Sequence, residues 1–83
     1  MSYELVYSAE FFKQLKKLER GTQERIILTL ERCRIKPYSH VKKLVGCLYY
    51  RFRVGDYIII IDIQNNELKI YVIEVGHRKN IYN

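Results

Sequence analysis

A chain of 83 residues is read as one domain with a thin core, burying about 60% of the surface its unfolded form exposes. Fifteen basic and nine acidic residues leave a net charge of +6, so anionic partners, phosphate backbones or acidic protein segments, are favoured. No apolar run reaches the about 20 residues a bilayer crossing needs. The opening Met-Ser-Tyr-Glu is not a secretory leader, and two cysteines without CxxC spacing do not make a zinc site. The expectation is a soluble cytoplasmic protein with no metal, no cofactor and reduced thiols at Cys33 and Cys47.

Tyr3 to Tyr7 alternates in the manner of a short first strand. Ser8 is placed to cap a helix, with Glu10 in its first turn. Phe11, Leu15 and Leu18 recur at helical spacing, and Gly21 is expected to end that helix. Thr22 then caps a second helix, whose buried stripe is Ile26, Ile27, Leu30 and Cys33. Lys36 precedes Pro37 and is disfavoured from helical geometry, so this helix ends by Ile35. Together the two form an antiparallel αα-hairpin joined by a short glycine turn.

Pro37 to Gly46 reads as a loop carrying His40, Lys42 and Lys43. A lone loop histidine is taken as solvated.

The second half is β. From Cys47 to Val54 the residues alternate without a break: Leu48, Tyr50, Phe52 and Val54 on one face, Tyr49, Arg51 and Arg53 on the other. Gly55-Asp56 is a two-residue hairpin turn. Tyr57 to Ile63 is rich in isoleucine on both faces, as in a central strand. Asn65-Asn66 is expected to be a second tight turn before a strand from Leu68 to Val75. Two such turns set the register. Val54 faces Tyr57 and Phe52 faces Ile59. Tyr50 faces Ile61, and Leu48 faces Ile63. Across the second hairpin Ile63 faces Leu68 and Ile61 faces Ile70. The outward rows become Arg53, Ile58, Ile73, then Arg51, Ile60, Tyr71, then Tyr49, Asp62, Lys69. The position of the first strand in this sheet is left open.

Charge is clustered. Between Glu31 and Asp56 no carboxylate occurs, while Arg32, Arg34, Lys36, Lys42, Lys43, Arg51 and Arg53 all do. The chain then leaves its last strand near Arg53 as Gly76-His77-Arg78-Lys79-Asn80-Ile81-Tyr82-Asn83. Two strands span about 10 Å, so Arg51, Arg53, Arg78, His77 and Tyr82 are expected to converge on one ligand.

These features together resemble the RelE/ParE toxin superfamily. The resemblance rests on the element order β-α-α-β-β-β and on Lys43-Leu44-Val45-Gly46 before the first meander strand. It rests also on the two basic residues of Tyr49-Tyr50-Arg51-Phe52-Arg53 and on the Gly-His-Arg-x-x-x-Tyr ending from Gly76 to Tyr82. It covers nearly the whole chain and implies an α+β fold: an N-terminal strand and an αα-hairpin packed on one face of an antiparallel sheet, in a single domain over residues 1–83. It implies the toxin of a type II toxin–antitoxin pair, an mRNA interferase that cuts messenger RNA in the ribosomal A site. In that reaction a ribose 2′-hydroxyl attacks its own 3′ phosphate. Partners implied are the ribosome, mRNA and an acidic RelB-like antitoxin in a hetero-oligomer.

Carried over by position, Arg51, Arg53, Arg78 and Tyr82 are the implied catalytic residues, with His77 beside them, and Lys42, Lys43 and Tyr49 would bind RNA. Guanidinium groups suit the charge that gathers on a pentavalent phosphorus, and a tyrosine ring can stack an unpaired base. The family usually has lysine where Arg51 and Arg53 stand. Arginine, which keeps its proton far above neutral pH, is a poor general base. An arginine of the next strand is Ile58 here, and the arginine before the loop glycine is Val45. No further helix is expected after the last strand, and the Ile58/Ile60 strand face is expected to be partly uncovered until an antitoxin masks it. The resemblance leaves two other readings: a ParE-like inhibitor of DNA gyrase that does no chemistry, and a degenerate toxin kept as a binding module.

Overall fold

The computed structural model describes residues 2–43 and 48–81. Leu44, Val45, Gly46, Cys47 and Tyr82, on which parts of the sequence reading rest, lie outside them.

Strand β1 (Glu4–Tyr7) leads into helix α1 (Ala9–Leu15) through Ser8. Ser8 is extended, and its hydroxyl oxygen accepts from the Phe11 amide at 3.0 Å, filling one of the helix's orphan donors as expected. Phe11 and Leu15 are buried.

Helix α1 then stops at Leu15, six residues before the expected glycine. The amides of Lys17 and Leu18 bond back three residues, to the carbonyls of Gln14 and Leu15, which tightens and ends the helix. The Gln23 side chain donates to the Leu18 carbonyl at 2.8 Å and holds the corner. Helix α2 (Arg20–Cys33) opens after Glu19. Gly21 therefore sits inside its first turn, and Thr22 is not its cap. Ile26, Leu30 and Cys33 are buried on one stripe, as the periodicity predicts.

A 3₁₀ turn at Pro37–Ser39 follows. Lys42–Lys43 is not loop but a two-residue strand, β2, paired with β3 (Tyr50–Val54). Strands β4 (Tyr57–Gln64) and β5 (Lys69–His77) complete a five-stranded sheet of order β1-β5-β4-β3-β2. β1 runs parallel to β5 at one edge, and the pairs β5-β4, β4-β3 and β3-β2 are antiparallel. Helix α3 (Arg78–Ile81), one turn long, follows β5 directly, where no helix was expected.

The β3–β4 register is the expected one from Val54↔Tyr57 to Tyr50↔Ile61. It stops there: Leu48 is 80% exposed rather than opposite Ile63. The β4–β5 register differs. Gln64 pairs with Lys69, so the connection is Asn65 to Leu68 and not a two-residue turn. Leu68 takes a left-handed φ of 55°. Asn65 anchors this turn, its Oδ1 accepting from the Tyr3 and Tyr38 hydroxyls at 2.7 and 3.0 Å.

Further along, the pairing jumps from Ile61↔Val72 to Ile60↔Glu74. Ile73 is the extra residue of a β-bulge. Its carbonyl accepts from the Ser8 hydroxyl at 2.6 Å, and the Val75 amide donates to Gln14 Oε1 at 2.7 Å. Side chains of the α1 segment thus satisfy groups beside the break in the ladder. The bulge changes which β5 residues share the Arg51 and Arg53 rows.

The core lies between the helices and one sheet face. Phe11, Leu15, Ile26, Leu30 and Cys33 pack on Phe52, Val54, Ile59, Ile61, Ile63, Ile70, Val72 and Val75. Burial pushes the Cys33 thiol up to about 11. The Tyr7 phenol is also raised, by burial and then by Glu31.

Candidate functional site

On the sheet face away from α1 and α2, residues stand in rows fixed by the ladders. One row is Lys42, Arg51, Ile60 and Glu74. The next is Arg53, Ile58 and Gly76. Both differ from expectation on β5, because the four-residue turn moves the register by two and the bulge by one more, which puts Glu74 in place of Tyr71 and Gly76 in place of Ile73. Tyr71 pairs with Asp62, and its hydroxyl donates to Glu67 at 2.9 Å, which raises its phenol.

A cleft of about 530 Å³ opens here, lined by His40, Lys42, Arg51, Phe52, Arg53, Ile58 and Arg78. Four of the seven are cations, and among the described residues none of the lining is a carboxylate. Glu74 stands two strands from Arg51, about 10 Å by strand spacing. Gly76 contributes no side chain to the Arg53 row, where an isoleucine would occupy space.

The β3–β4 turn brings the two segments together. Arg53 Nε donates to the Gly55 carbonyl at 2.7 Å. The Arg78 amide donates to the Asp56 carbonyl at 2.9 Å. Two arginines from distant parts of the chain are thereby tied to consecutive carbonyls. Gly55 holds a φ of 60° and a side chain there would be strained. The Arg25 guanidinium of α2 lies over it, 3.6 Å from where a Cβ would stand.

Arg51, Arg53 and Arg78 therefore meet on one surface. His77 does not join them: it pairs with Tyr57 in the ladder and packs edge-on against that ring at 5.5 Å, while its Nδ1 accepts from the Lys79 amide. Tyr57 packs against the helix-side core, so the His77 ring is on the other face. Lys42 lines the cleft, whereas Lys43 pairs with Tyr50 on the opposite side of β2 and neither it nor Tyr49 lines the cleft. Ile58 and Ile60 are 2% and 6% exposed. The expected uncovered strip is in fact buried.

His40 is the lining residue that sequence reasoning passed over. It closes the Pro37–Ser39 turn in helical geometry, so no strand alternation announced it in the sequence.

With fold and cleft in place, the comparisons with known proteins identify the class. The family model for the ParE toxin of type II toxin–antitoxin systems, parDE, matches residues 5–82. The chain belongs to this family, within the RelE/ParE toxin superfamily of type II toxin–antitoxin systems. No match was found among curated proteins. Among solved structures, the RelB–RelE antitoxin–toxin complex from Methanococcus jannaschii is similar at 33% identity and a TM-score of 0.75, covering 94% of this chain and 95% of that one. The toxin–antitoxin complex RelBE2 from Mycobacterium tuberculosis has a TM-score of 0.86 at 17% identity, covering 94% and 100%. The archaeal RelE–RelB complex from Pyrococcus horikoshii has a TM-score of 0.82 at 24% identity, covering 94% and 97%. The α+β fold is that of RelE toxins. Among the described residues no helix is long and apolar enough to cross a membrane.

Proposed function

We infer that this toxin is a ribosome-dependent endonuclease that cuts mRNA in the A site, held in check by an acidic RelB-like antitoxin. The observation that carries the reading is the convergence of Arg51, Arg53 and Arg78 around one cleft with an apolar floor at Ile58. In-line attack of a 2′-hydroxyl on the adjacent phosphate builds charge on the non-bridging oxygens. The Arg53 guanidinium, held by the Gly55 carbonyl, and that of Arg78, whose backbone amide is held by the Asp56 carbonyl, meet that charge. Arg51 and Arg53 hold the phosphate from β3, and Arg78 stands where the 5′ oxygen leaves. Tyr82 stacks a base, and Lys42, Lys43 and Tyr49 bind the strands entering the site. The product is a 2′,3′-cyclic phosphate and a free 5′-hydroxyl. His77, packed on Tyr57, has no part in the step.

The test is purified protein on programmed ribosomes. Wild type cuts in the A site, and Arg78→Ala lowers the rate by about 10²–10³. Equal cutting by both removes Arg78 from the mechanism.

The family match to ParE toxins favours a second reading, a ParE-like inhibitor of DNA gyrase with no chemistry of its own. Gyrase supercoiling blocked by the protein, with mRNA intact on ribosomes, selects it.

A further inference from the structure

We propose that His40 is the proton acceptor of the cleft, taking the 2′-hydroxyl proton as that oxygen attacks phosphorus. The proposal rests on the nuclease reading and deepens it. A cleft whose other polar groups are guanidinium and ammonium can stabilise charge but is poorly equipped to remove a proton. Imidazole is the side chain whose ordinary titration falls near neutral pH, and His40 is the imidazole that lines this cleft.

Its placement is set by the backbone. The 3₁₀ turn at Pro37–Ser39 ends with the His40 amide donating to the Pro37 carbonyl at 3.2 Å. Val41 then packs on the core, and Lys42 pairs with Arg51. His40 itself closes the turn in helical geometry (φ -111°, ψ -7°) and stands outside the ladder, yet it lines the same cleft as Arg53. The cleft thus brings together an imidazole, three guanidiniums and an isoleucine floor. In this proposal a phosphodiester held by Arg53 presents its 2′-hydroxyl to the imidazole and its 5′ oxygen to Arg78, all three of which line the cleft.

The step balances without a co-reactant beyond water. The 2′ oxygen forms a bond to phosphorus and gives its proton to the free ring nitrogen of His40. The bond from phosphorus to the 5′ oxygen breaks, and that oxygen takes a proton from solvent. The charged groups that face His40 are Lys42 from β2, Arg51 and Arg53 from β3 and Arg78 from α3, with Glu74 two strands beyond.

The experiment is single-turnover cleavage on programmed ribosomes as a function of pH, with wild type, His40→Gln and Lys42→Gln. Wild type gains rate as pH rises through the imidazole range and then levels. His40→Gln is expected to be slower by about 10²–10⁴ and to lose that limb, with ribosome binding unchanged. Lys42→Gln binds more weakly but keeps the limb. His40 is exposed in a surface turn, so the variant is expected to fold, and far-UV circular dichroism confirms it. A His40→Gln enzyme with the wild-type rate and profile overturns the role of His40 while leaving the nuclease reading intact. Absence of cutting by wild type overturns both.

Discussion

Strand β4 buries isoleucine on both of its faces. Ile59 and Ile61 are fully buried in the core that α1 and α2 close, and Ile58 and Ile60 are nearly as buried outside it. On the helix side the cover is other apolar side chains. On the cleft side Ile58 shares its surroundings with Arg51, Arg53 and Arg78, whose aliphatic stems shield apolar surface while their charged heads reach water. Similar burial thus arises from opposite neighbours. One face is dry packing, which stabilises the fold. The other is an apolar floor under concentrated positive charge, which strengthens each interaction with an anion seated there. Two ion pairs, Arg20–Glu24 and Arg34–Glu31, lie along α2 and its C-cap.

The sharpest way to break this comparison is to truncate neighbouring isoleucines of β4. Ile59→Ala is expected to cost about 2–5 kcal/mol, as for a buried aliphatic in a close-packed core. Ile58→Ala should cost clearly less, because the flexible arginine stems and solvent can collapse onto the gap. Urea unfolding of the two variants measures the difference. Equal losses would mean that the cleft floor is core in the energetic sense and that the two faces do not differ as argued.

A smaller effect is expected where the two faces are joined. The bulge at Ile73 is held from the helix side by Ser8 and Gln14, yet it decides that Glu74 and Gly76 stand on the cleft side. Gln14→Ala leaves the Val75 amide without its partner at a cost of about 1–3 kcal/mol. Hydrogen exchange at Val75 should accelerate, and A-site cleavage should fall with it, since Gly76 and Arg78 follow directly. Faster exchange with unchanged cleavage would show that the bulge serves stability alone.

Sequence periodicity was a good guide where local chemistry determined geometry. Gly55-Asp56 made a two-residue turn, and the alternation of Tyr50 to Val54 then had one register that kept Arg51 and Arg53 out of the core. Ser8 declared itself as a cap. Where tertiary contacts decided, the reading failed. Leucine seldom takes a left-handed φ, so nothing local marked Leu68 as part of a four-residue turn. The bulge depends on the Gln14 side chain, 61 residues away. Gly21 carried a stop signal, but the corner was made earlier by Gln23 binding the Leu18 carbonyl. For the site, the meeting of Arg51, Arg53 and Arg78 followed from strand order. The turning of His77 toward Tyr57 followed from the one-residue shift of the bulge, and His40 was missed because it closes a 3₁₀ turn, where no periodicity applies.

The smallest expected effect separates the faces by pH. Burial raises the Cys33 thiol on the helix side to about 11. The folded state keeps the thiol neutral while an unfolded chain begins to ionise it near pH 9. The stability from this group is therefore complete below about pH 9 and is lost as pH rises to about 11. The raised Tyr7 phenol adds to the same trend and is present in any Cys33 variant. Urea midpoints measured from neutral pH into this window should fall more steeply for wild type than for Cys33→Ala. Parallel declines would place the alkaline sensitivity elsewhere than in the buried thiol.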